Sequence, residues 1–106
     1  MIKIGNSIII NDDEKDFSDK VDTEGFCVLN CGLSLRSTVT ASSIDDDGFI
    51  YCLQRGISTI YGNKIPPQEF RVSWNKKPDE IYPSLETVTL LLLCEVSPDL
   101  FPDLQF

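Results

Sequence analysis

Apolar and polar residues alternate along most of this chain, and the alternation has the period of two that a half-buried strand imposes. At the start, MIKI and SIII are short apolar runs either side of Gly5-Asn6, a two-residue turn signal, which predicts a hairpin. FCVLNCGLSLR at 26–36 puts Cys27, Leu29, Cys31, Leu33 and Leu35 on one face. Phe26, Asn30, Ser34 and Arg36 share the other, so this stretch reads as a half-buried strand. Gly32 within it predicts a bulge or a close backbone approach. STVTASSI, FIYCLQR and ISTIY are further strand candidates, rich in β-branched and aromatic residues. Pro66-Pro67 interrupts ladder pairing, and EFRVSW then alternates Phe70, Val72 and Trp74 with Glu69, Arg71 and Ser73.

A proline-punctuated loop, NKKPDEIYPS, leads to LETVTLLLLCEV at 85–96. That segment is apolar on both faces and carries several β-branched residues, which favours a central strand. The alternative is a helix capped by Ser84. The whole pattern predicts an all-β fold: a compact single-domain sandwich or small barrel of about seven to eight short, mainly antiparallel strands. The acidic stretch after Ile10 is expected to form a loop, or one short helix capped by Asp12 with Phe17 and Val21 facing inward.

The globular domain is expected over residues 1–96, with 97–106 as a tail reading SPDLFPDLQF. Its prolines stop helix and ladder alike. Leu100, Phe101, Leu104 and Phe106 are too apolar to be left idle in water. They either cover the domain's own edge or dock on a partner or a neighbouring subunit.

Composition narrows the function classes. A chain of 106 residues fits one domain with a real core, and a 42% hydrophobic fraction separates it from disordered sequences. The N-terminus has no charged-then-apolar signal segment, and the longest apolar run, LLLLC at 90–94, is too short to span a bilayer. The expectation is a soluble, cytoplasmic protein.

The net charge of −8 is unevenly placed. Residues 11–25 hold seven acids and two lysines, giving −5, and Asp45, Asp46 and Asp47 add −3; the other seven acids and seven bases cancel. Such a distribution repels nucleic acid and anionic membrane and favours a basic partner.

The chain has no histidine, which removes histidine-activated nucleophiles, histidine acid–base chemistry and most transition-metal sites. The carboxylates sit in turn-like, solvated stretches, where they stay near their ordinary pKa values and are poor acids at neutral pH. An enzyme is not expected, and no cofactor is. Cys27, Cys31, Cys52 and Cys94 all lie in apolar contexts and are expected to be reduced, buried and slow to react. Cys27 and Cys31 on one strand would stand roughly 13 Å apart, beyond disulfide reach. No paired C-x2-C spacing supports a zinc site.

SIDDDGFI at 43–50 partly matches a calcium-binding loop, with Asp45, Asp47, Gly48 and Ile50 at suitable offsets. The match fails at the first ligand, Ser43, and at the last, Gln54, which cannot supply a bidentate carboxylate. Flanking strand formers make 45–48 the tip of a hairpin instead.

Together these features point to a small acidic module that binds another protein, as an inhibitor or accessory factor of the immunity-protein or viral and phage kind. The likeness is of charge and size alone. The binding residues expected are Asp12, Asp13, Glu14, Asp16 and Asp19 in the acidic segment, Asp45, Asp46 and Asp47 at the hairpin tip, and Leu100, Phe101, Leu104 and Phe106 in the tail. The other expectation is a structural subunit of a virion or larger complex that assembles with its own copies.

Overall fold

The two short runs around Gly5-Asn6 fold as the pattern predicts. Ile2–Ile4 (β1) and Ser7–Asn11 (β2) pair antiparallel, and Gly5 takes a φ of +55° in the turn. The computed structural model of the protein describes residues 2–11, 27–74 and 80–98. Cys27–Cys31 (β3) lies parallel to β2, and Val39–Asp45 (β4) continues parallel through the single pairing of Cys31 with Val39. Gly48–Leu53 (β5) and Gln68–Ser73 (β8) complete the sheet antiparallel, and the order across it is β1-β2-β3-β4-β5-β8. Between β5 and β8, Ile57–Ser58 (β6) and Lys64–Ile65 (β7) form a separate two-stranded ribbon.

The structure is mostly β, as expected, but the described residues form neither a sandwich nor a closed barrel. Its main body is one open six-stranded sheet of mixed direction, and the second layer is a helix, Ile81–Leu93 (α1). The expected strand at 85–96 is thereby corrected. Ile81, Leu85, Val88 and Leu92 recur at helical spacing and are all buried, joined by Ser84, Thr89 and Leu93 along the same stripe. Against the sheet they enclose Ile9, Leu29, Val39, Phe49, Tyr51 and Val72, each at most 2% exposed. The radius of gyration, 13.2 Å, is that of a compactly folded domain of about this length.

The helix tolerates its strand-forming residues because their hydroxyls are satisfied within it. Ser84 donates to the Glu80 carbonyl, Thr87 to that of Pro83 and Thr89 to that of Leu85. Ser84 is therefore an interior residue and not the cap; the N-cap position is Glu80. Pro83 falls in the first turn, where its missing N–H would have had no partner. The helix ends with Glu95 at φ +62°, its N–H bonded to the Leu92 carbonyl and the Val96 N–H to that of Leu91.

A positive φ is strained for a side-chain-bearing residue. The Glu95 carboxylate is held in place by Thr59 (2.8 Å) and by Asn63. Those hydrogen bonds, from Asn63 and then Thr59, hold its carboxyl below the ordinary glutamate value.

Polar contacts also cross the two layers, meeting at Thr89. Thr89 spends its only hydroxyl hydrogen on Leu85, so the buried Tyr51 phenol, 2.8 Å away, donates to Thr89. Burial drives the Tyr51 pKa far above that of a free phenol, which keeps this donor protonated at every physiological pH.

Two of the four cysteines answer to the expected burial, Cys31 and Cys52, while Cys94 is half-buried and Cys27 is exposed at the first position of β3. All four are free thiols, in keeping with the distance argument for Cys27 and Cys31. The expectation of four sheltered cysteines is corrected because Cys27 begins its strand, at the end of the sheet. Burial pushes the Cys52 thiol above its ordinary pKa; the nearby Ser42 hydroxyl opposes this and the charge of Glu69 adds to it. Thiol titration of folded protein should therefore show Cys27 reacting fast and Cys31 and Cys52 protected until unfolding. Uniformly slow reaction of all four would contradict this placement. Among the described residues no group of three or more potential ligands is placed to hold a metal ion, and no helix is long and apolar enough to cross a membrane.

Candidate functional site

The hairpin at 45–48 forms as read, with β4 and β5 joined through Asp46 and Asp47. One Asp45 carboxylate oxygen accepts the N–H groups of Asp47 (2.8 Å) and Gly48 (3.0 Å) and meets Arg71 at 3.5 Å. The far end of β8 clamps the tip: the Trp74 indole N–H donates to the Asp45 carbonyl at 2.7 Å, and its backbone N–H to Asp47 at 3.1 Å. Asp45 is thus a structural acceptor that shapes the turn. Asp46 and Asp47 are the exposed carboxylates it presents. The other expected binding residues lie outside the described residues: Asp12, Asp13, Glu14, Asp16 and Asp19, and in the tail Leu100, Phe101, Leu104 and Phe106.

The feature that period-two reading did not anticipate is the loop at 32–38. Leu33 and Leu35 continue the buried face of Cys27, Leu29 and Cys31 on paper. In the structure the strand stops at Cys31, leaving Leu33 49% and Leu35 91% exposed. The local chemistry explains the stop. Gly32 donates to Val39 and turns the chain; Ser34 accepts the Arg36 N–H on its hydroxyl at 3.1 Å, and the Ser37 N–H on its carbonyl at the same distance. The polar cluster in GLSLRST was the available signal for a turn, and the leucines concealed it.

This loop is braced from outside. The Gln54 side-chain amide donates to the carbonyls of Ser37 (2.7 Å) and Ser34 (3.2 Å), and Arg55 donates to the Arg36 carbonyl at 2.8 Å. Ser37 and Thr38 are buried, which anchors the loop's return to β4. The two leucines therefore stand on a fixed backbone. Beside them a groove of about 650 Å³ crosses the sheet face opposite α1, lined by Leu33, Leu35, Thr40, Ser42, Cys52 and Glu69 among others. Its walls mix apolar and hydroxyl surface, and its one thiol is the suppressed Cys52. No protein-family model, no curated protein and no solved structure matches the chain.

Proposed function

We propose that this chain is a small protein-binding module, which acts by covering a surface on another protein and not by catalysis. The observation that carries the reading is Leu35, 91% exposed on a loop whose carbonyls are tied down by Gln54 and Arg55. An apolar side chain displayed on a fixed backbone has little ordering cost left when it meets a partner, which is the condition for a binding anchor. Leu33 and the adjoining groove give that partner a concave seat next to the anchor.

The acidic residues take a second role in this reading. Asp46 and Asp47, with Asp12, Asp13, Glu14, Asp16 and Asp19, steer the chain toward a basic surface and speed the encounter at low salt. The mode of action is occlusion, as an inhibitor or accessory factor would use it.

Affinity capture from an extract of the protein's own source tests the proposal, with Leu35→Asp and the double variant Asp46→Asn/Asp47→Asn run beside the unaltered chain. The unaltered chain should retain a protein that Leu35→Asp loses. The double variant should retain that protein with slower association at low salt, a difference that fades as the Debye length falls from about 30 Å at 0.01 M to about 3 Å at 1 M. Equal retention by Leu35→Asp refutes the anchor role.

A further inference from the structure

Among the described residues the six-stranded sheet ends at β8, and the backbone of that strand divides cleanly between its two sides. Trp74 donates its N–H to Asp47 across the β5 hairpin, so by alternation Val72, Phe70 and Gln68 also turn their main-chain groups toward β5. Glu69, Arg71 and Ser73 turn theirs outward, and all three residues are exposed. An edge of this kind is a template for a further strand.

The sequence along the edge selects what that strand is. Two antiparallel copies of β8 related by a two-fold axis at Phe70 set Glu69 of each opposite Arg71 of the other. These are also the residues whose outward N–H and C=O groups exchange bonds, so main-chain pairing and charge pairing coincide in one register. Sliding the copies one pairing step either way opposes Arg71 to Arg71 or Glu69 to Glu69, and like charges directly opposite are unfavourable. Pro66 and Pro67 precede the strand and lack the donor that a longer overlap would need. Arg71 touches Asp45 of its own hairpin through one nitrogen at 3.5 Å, and a guanidinium has donors enough to serve a second carboxylate.

We propose that β8 pairs with β8 of a second copy of this chain in the register that opposes Glu69 to Arg71, joining the two sheets into one. Leu33 and Leu35 take no part in the pairing, although Glu69 also lines the groove beside them.

Sedimentation of the full chain over a concentration series tests this. The unaltered protein should pass from monomer to dimer as concentration rises. Glu69→Arg opposes arginine to arginine twice in the dimer and should raise the dissociation constant about tenfold or more, at an unchanged melting temperature. Combining Glu69→Arg with Arg71→Glu restores opposite charges and should return the constant to within about threefold of the original. Leu35→Asp should dimerise as the unaltered chain does. A protein that stays monomeric up to about 1 mM overturns the proposal. So does a dimer that Glu69→Arg leaves intact, or a double exchange that fails to restore it.

Discussion

Replacing Gly48 with alanine is expected to cost about 3–5 kcal/mol, a large part of the roughly 5–15 kcal/mol that holds a domain folded. A Cβ at this position would lie 2.2 Å from the Val72 carbonyl oxygen and 3.1 Å from the Ser73 Cα. Both are backbone atoms of β8, so no side chain can rotate away to make room. Relief requires parting β5 from β8 at the Gly48–Ser73 pair, next to the Trp74 and Asp45 bonds that clamp the hairpin tip. The φ of +154° adds strain for any residue with a side chain. Equilibrium denaturation of Gly48→Ala should show a much lower midpoint, with the near-ultraviolet signal of Trp74 changed. A loss under about 1 kcal/mol would mean that the two strands do not approach as described.

Leu85→Ala should be the other large effect, about 2–5 kcal/mol. Leu85 is fully buried at the centre of the helical stripe, between Ile81 and Val88 and beneath the sheet. Its backbone carbonyl also accepts the Thr89 hydroxyl that receives the Tyr51 phenol, so collapse of the cavity is resisted by a polar link at the same place. Rigid surroundings push the cost toward the upper part of the range. Leu85→Met, which keeps the volume, should lose less than about 1.5 kcal/mol. Urea melts of the two variants decide the matter, and equal losses would show that Leu85 does not sit in a packed layer.

These residues also show what could be read from sequence and what could not. The hairpins around Gly5-Asn6 and at 45–48 were legible because turn chemistry is local. The alternation of Phe70, Val72 and Trp74 was legible because one face of β8 meets the core and the other meets water. The helix was missed for a physical reason. Its β-branched residues argue for a strand only until their hydroxyls find carbonyls four residues back, and Pro83 looks like loop punctuation until the first turn is known to begin at Ile81.

The loop at 32–38 was missed for the opposite reason. Leu33 and Leu35 satisfy the strand period and mask the local turn, and the side chains that brace the turned loop, Gln54 and Arg55, stand about twenty residues on in sequence. Long-range braces of this kind leave no trace in a local pattern. Of the expected binding residues, Asp46 and Asp47 stand exposed as read, while the structural part played by Asp45 is visible only once the turn closes around its carboxylate.

Leu35 can bind a partner only as a displayed side chain and not a core one, and its removal can be measured without knowing any partner. Leu35→Ser should leave the free energy of unfolding within about 0.5 kcal/mol of the unaltered protein, as substitutions at exposed positions do. A loss of about 2–5 kcal/mol, the cost of emptying a buried leucine site, would put Leu35 back on the hidden face that the alternation suggests and contradict the binding role given to this loop.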